Sequence, residues 1–112
     1  MQRFPKRLVD GSQLTTSALT YYTAPASTLT TIAACTLTNT SAAPVTATVY
    51  LVATGGTASA ANTILSARAL AAGEAFNVGS AIGQTLPAGG QIQAFASAAT
   101  SITLVASGYE TI

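Results

Sequence analysis

Residues Thr28–Val52 read TLTTIAACTLTNTSAAPVTATVYLV, and this stretch decides the fold. In its second half Val45, Ala47, Val49 and Leu51 alternate with Thr46, Thr48 and Tyr50. Strict alternation of apolar and polar side chains is the pattern of a strand with one face in the core and one in water. In its first half Ala33, Cys35 and Leu37 oppose Ala34, Thr36 and Thr38, with less contrast because the residues are small. The polar run Asn39-Thr40-Ser41-Ala42-Ala43-Pro44 separates the two, so they read as an antiparallel pair joined by a short turn. A pair alone cannot bury its apolar face, and the rest of the chain must supply the cover.

Working outward, further strands are expected. Residues 1–7 read as an N-terminal arm, with Phe4-Pro5 breaking any regular start, and 8–112 as one β domain. Leu8–Leu14 is a short strand interrupted at Asp10-Gly11, and Ala18–Ala24 a better one that Pro25 ends. Within it Tyr21 and Tyr22 should point to opposite faces, so at most one is core and the other either serves an interface or lies over neighbouring side chains at the surface. Ala53–Ala61 is a loop, Ile64–Leu70 and Ala75–Val78 are short strands, and Gln84–Gly90 is a turn. Gln91–Ser97 and Ile102–Ser107 alternate cleanly and read as a second hairpin. The Ala-rich Ser59–Ala72 could instead hold one helical turn. Seven or eight short strands at this spacing predict an all-β chain, a single antiparallel β-sandwich of immunoglobulin-like or jelly-roll type with an extended N-terminal arm.

Composition restricts the chemistry. Of 112 residues only 6% are charged, against an ordinary share of roughly 25%. Ala, Thr, Ser and Gly fill the deficit, which leaves a neutral, hydroxyl-rich surface suited to packing against copies of itself or a partner. The net charge is +1, too little for a nucleic-acid-binding field. Three of the four cations, Arg3, Lys6 and Arg7, lie in the first seven residues. They mark a solvated basic arm or one that docks on a neighbouring subunit, and with Phe4, Tyr21 and Tyr22 they are the candidate assembly contacts.

No histidine is present and the carboxylates are Asp10, Glu74 and Glu110. A catalytic triad therefore has no base, and neither a zinc site nor a carboxylate dyad has ready ligands. The chain is expected to be neither an enzyme nor a cofactor or metal binder. Gly55-Gly56 lacks the Lys and the Ser/Thr of a phosphate loop. Cys35 is the lone cysteine, set among apolar neighbours, and reads as a small buried hydrophobe. The threonines from Thr28 to Thr48 invite an ice-binding reading, but Thr is also the ordinary residue of a wet strand face. Sugar binding would want exposed aromatics, and these make up 6% of the chain. A mean hydropathy of +0.48 comes from scattered residues, with neither a secretory signal nor a membrane-spanning run, so synthesis in the cytoplasm is expected.

Taken in order, the segments RLVDG (Arg7–Gly11), TYYTAPAS (Thr20–Ser27) and LTNTSAAPVTATVYLV (Leu37–Val52) form a recognisable series. LAAGE (Leu70–Glu74), LPAGGQIQAF (Leu86–Phe95) and SGYE (Ser107–Glu110) continue it. The series resembles small bacteriophage virion proteins over nearly the whole chain. That resemblance implies a β-sandwich that assembles on the phage particle with the major capsid protein or other virion subunits. The role implied is a capsid decoration (cement) protein, with a neck, tail or fibre component as the alternative. A homo-oligomer, a trimer at local three-fold positions, suits the first role, and no catalytic residues carry over.

Overall fold

A computed structural model describes residues 2–112 as two antiparallel sheets packed face to face. The strands are β1 (Arg3–Gln13), β2 (Leu19–Thr23), β3 (Leu29–Asn39), β4 (Val45–Val52), β5 (Thr63–Leu70), β6 (Ala75–Asn77), β7 (Thr85–Leu86), β8 (Gln91–Ala96) and β9 (Ile102–Thr111). A 3-10 turn at Ala60–Asn62 is the one place where Ser59–Ala72 turns helical. The first sheet runs β1-β9-β3-β6, with β7 also paired to β3, and the second runs β2-β8-β4-β5. Leaving the two-residue β7 aside, the first strand pairs with the last, the second with the last but one, and so inward to β4 with β5. That is one long antiparallel ribbon rolled into two layers, a jelly roll rather than the hairpin-within-sheet order of an immunoglobulin domain.

The rolled ribbon corrects the expected hairpins. β3 and β4 lie in opposite sheets, as do β8 and β9, and neither couple is hydrogen-bonded. Facing one another across the sandwich, Cys35 and Leu37 on one side and Val45, Ala47 and Val49 on the other bury both apolar faces at once. In a flat hairpin both would need outside cover. Asn39 makes the crossing. Fully buried, its amide donates to the carbonyls of Ala43 (2.8 Å) and Leu70 (3.0 Å), while its Oδ1 accepts from the Ser41 N–H (2.9 Å) and hydroxyl (2.7 Å).

Inward residues follow period two where the strands are regular. Ile92, Ala94 and Ala96 on β8, and Ile102, Leu104 and Ala106 on β9, are all buried. Bulges shift the expected faces elsewhere. A register break between Ile32 and Ala34 leaves Ala33 exposed while Cys35 and Leu37 stay inside. Thr48, expected in water, is buried and accepts the Ala67 N–H (3.0 Å) at a bulge in β5. Thr28 and Thr30 are likewise buried, so the threonines do not form one array. Gln84–Gly90, expected as a plain turn, contains β7. At the sandwich flank, the Arg68 guanidinium of β5 lies 4.3 Å from the Phe76 ring of β6 and fastens the two edges together.

The N-terminal segment is extended, but it is not free. Arg3–Arg7 form the first half of β1, paired with Thr111–Ser107 of β9, and β1 continues past Asp10-Gly11 by absorbing bulges at Leu8 and Gly11. Pro5 does not break the strand. Gln2 and Ile112 exchange both backbone hydrogen bonds. The alternation of an antiparallel ladder then turns the Pro5 nitrogen towards the open edge, where no donor is needed. Proline and two bulges on this outer edge also discourage uncontrolled strand addition.

Candidate assembly surface

Continuing the inward parity of β9 beyond Ala106 leads through Gly108 to Glu110, and Glu110 is buried. The register places Thr30 and Phe4 directly beside Glu110, and Lys6 beside Gly108, on the same inward face. Three groups meet the carboxylate. The Lys6 ammonium lies 3.3 Å from Oε2, and the Tyr22 hydroxyl donates to the same oxygen at 2.6 Å. Since the phenol proton is committed to Glu110, Thr30 donates its hydroxyl to the Tyr22 oxygen at 2.7 Å. Burial, and then the hydrogen bond to the Glu110 carboxylate, push the Tyr22 hydroxyl up to about 12. A negative neighbour and a dry setting both oppose a second negative charge.

Beyond this cluster the inward face of the first sheet comes out from cover. Phe4 is 38% exposed and Ile112 is 54% exposed, although both occupy inward positions. On the outward side of the same pole the register aligns Leu29, Thr111 and Arg3 in one row, with Leu29 46% exposed. The Arg3 guanidinium stacks 4.2 Å from the Tyr109 ring. Next to it Pro5, Arg7, Ala33, Ser107 and Tyr109 line a shallow depression of about 370 Å³ beside the β3 bulge. Arg7 is paired with Asp10 at 3.2 Å, both well exposed, a contact that adds little to stability. A second depression, of about 320 Å³, lies between the end of β4, the 3-10 turn and β7.

Of the residues expected to form contacts, the fold gathers Arg3, Phe4, Lys6 and Arg7 on one pole and brings Tyr22 to them through Glu110. Tyr21 does not behave as the outward partner of Tyr22. It sits at a bulge of β2, packs partly buried against the core, and encloses its hydroxyl without a hydrogen-bond partner. Tyr109, Leu29, Ile112 and Glu110 complete the pole and were not singled out from the sequence. For Glu110 the parity of β9 was the available signal. Among the described residues no three His, Cys, Asp or Glu side chains gather where a metal could be held, and no helix is long and apolar enough to cross a membrane.

No protein-family model matches the chain, and no curated protein matches it in sequence. A solved structure is similar in fold. A chain from the structure of infectious bursal disease virus, Gx strain, superimposes on 99% of this chain with a TM-score of 0.54 and 18% identity. A chain from the Gt strain of that virus aligns over 97% with a TM-score of 0.37 and 15% identity. The present chain spans about a third of the length of each, 33% and 30% respectively. At such identity the likeness concerns the fold alone, which in this chain is an antiparallel β-sandwich.

Proposed function

We propose that the chain is a structural subunit of a virus particle, a bacteriophage decoration protein that lies on the shell and bridges neighbouring major capsid subunits. The observation that carries this reading is the strand order, since the jelly roll is an architecture that viral capsid domains use. Lectin and cupin domains use it too, and fold does not fix function. The ordered resemblance from Arg7 to Glu110 and the likeness to a virus chain support the viral choice. The uncovered pole supplies the means. Phe4, Leu29 and Ile112 offer apolar contact, and Arg3 on Tyr109 offers a rigid cationic one. As a trimer on local three-fold positions, each copy repeats weak contacts that add by multivalency.

The test is copy number in purified particles, by quantitative mass spectrometry against the major capsid protein. A ratio of order one is expected. A handful of copies would overturn decoration and place the chain in the neck or tail. Phe4→Ser should keep the fold and lose incorporation, and normal incorporation would remove this pole from the assembly.

A further inference from the structure

The outer face of the second sheet has a chemistry unlike the rest of the molecule. Its four strands carry a single charged residue, Arg68, and that side chain turns away to Phe76 of the other sheet. The register lines up Thr20, Gln93, Tyr50 and Thr63 across β2, β8, β4 and β5, one residue per strand. Diagonal to Tyr50, Phe95 lies with its ring centroid 6.1 Å away and the planes 25° apart, so two of the chain's seven aromatics form a shared surface. Beside them the amides are fixed. Gln93 Nε2 donates to Gln91 Oε1 at 2.7 Å, and the Thr20 hydroxyl donates to the same oxygen at 3.0 Å.

That arrangement leaves definite valences. Gln91 Oε1 has its two lone pairs used, so the Gln91 NH₂ offers donors while Gln93 Oε1 and the Thr20 oxygen offer acceptors. Donors and acceptors alternate beside an aromatic surface, with no charge to attract an ion. A hydroxyl both donates and accepts, and a sugar ring presents neighbouring hydroxyls at its rim and an apolar C–H face that packs on aromatic rings. We propose that this face, centred on Tyr50, Phe95, Gln91 and Gln93, is a binding platform for a neutral saccharide. The inference does not depend on the virion reading.

The experiment is an NMR titration of the full ¹⁵N-labelled chain with lactose, cellotriose and chitotriose. At least one should shift the side-chain amide signals of Gln91 and Gln93 saturably, at the millimolar affinity usual for so open a site, about 1 mM. Tyr50→Ala should weaken that binding about tenfold, with the dispersed spectrum retained. Gln91→Ala, at a half-buried polar position, should do the same should Tyr50→Ala not fold. The proposal is overturned by no shift with any of the three sugars at about 20 mM, or by binding undiminished in the folded variants. Concentration-dependent shifts of the same signals without sugar would also overturn it, and would assign the face to a second copy of the chain.

Discussion

Lys6 on the first strand and Glu110 on the last approach to 3.3 Å, the buried carboxylate held also by Tyr22 from the opposite sheet. One inward carboxylate thus links β1, β2 and β9, and through Thr30 also β3. Losing the two partners should have unequal cost. The Lys6 side chain is half exposed and Lys6→Met should cost about 0.5–1 kcal/mol, close to a surface pair. Glu110→Ala leaves the buried Tyr22 hydroxyl with Thr30 alone, takes the counter-charge from Lys6 and empties a buried position, and should cost about 2–3 kcal/mol. Urea unfolding of the two variants checks the ranking, which equal losses would contradict. Deleting residues 1–7 is a poorer probe of assembly, because it also bares the edge of β9.

Asn39 is the second polar device inside the sandwich. Its four hydrogen bonds tie the end of β3 to the crossing segment and to the end of β5. Asn39→Ala leaves the Leu70 carbonyl buried without that donor and should cost about 3 kcal/mol. Thermal unfolding will show it, with Thr40→Ala, on the exposed side of the same connection, changing stability by less than about 1 kcal/mol.

Gly108 lets β9 pass close to β3 at the β3 bulge. A Cβ there would collide with the carbonyl oxygen of Thr31, which is backbone and cannot swing aside. Gly108→Ala should therefore cost about 3 kcal/mol, whereas Gly79→Ala meets open space and should be within about 0.5 kcal/mol of wild type. Equal melting temperatures for the two would refute the close approach.

Two buried acids should weaken the fold at alkaline pH. Burial pushes the Cys35 thiol up from 9.0 to about 11, and Tyr22 rises from 10.0 to about 12. Raised folded-state values mean that the unfolded chain releases these protons first. The stability they contribute is full below about pH 9 and is lost as pH climbs to about 12, up to roughly 2–3 kcal/mol for each group. Denaturation curves from pH 8 to 12 should show this fall, and Cys35→Ala should remove its lower part. At pH 8 the native thiol should resist a thiol reagent until the chain unfolds.

The second-sheet face makes a separate prediction about surface chemistry. Gln93→Glu places a charge beside Phe95 and Tyr50 without altering the buried parity of β8, so stability should change by less than about 1 kcal/mol. A larger loss in urea unfolding would show that the amide network is part of what holds β8 in place.

The strands were legible because their inward positions recur every second residue. β8 and β9 stand where Ile92–Ala96 and Ile102–Ala106 place them. The pairing was not legible. A short polar connection such as Thr40–Pro44 suits a hairpin and a crossing equally well, and the choice rests on Asn39 finding Leu70 across the fold. The bulges at Leu8, Gly11, Tyr21 and Ala33 move single side chains across a face, and no local pattern announces them. The cations of the N-terminal segment lie together at one pole. Their partners Glu110 and Tyr109 lie more than a hundred residues away along the chain, so only the register could join them.

The rolled ribbon also dictates an order of events in synthesis. In the sheets, β1 can pair only with β9 and β2 only with β8, so the first two strands made wait for the last two. β4 with β5, and then β3 with β6, can close while the ribosome is still at work. The outer wraps must wait for the later strands, and until β9 emerges the β1 ladder and its apolar residues stay open to other chains. Completion of the fold therefore waits on β9, and the yield in the cell should depend on how crowded nascent copies are during that interval.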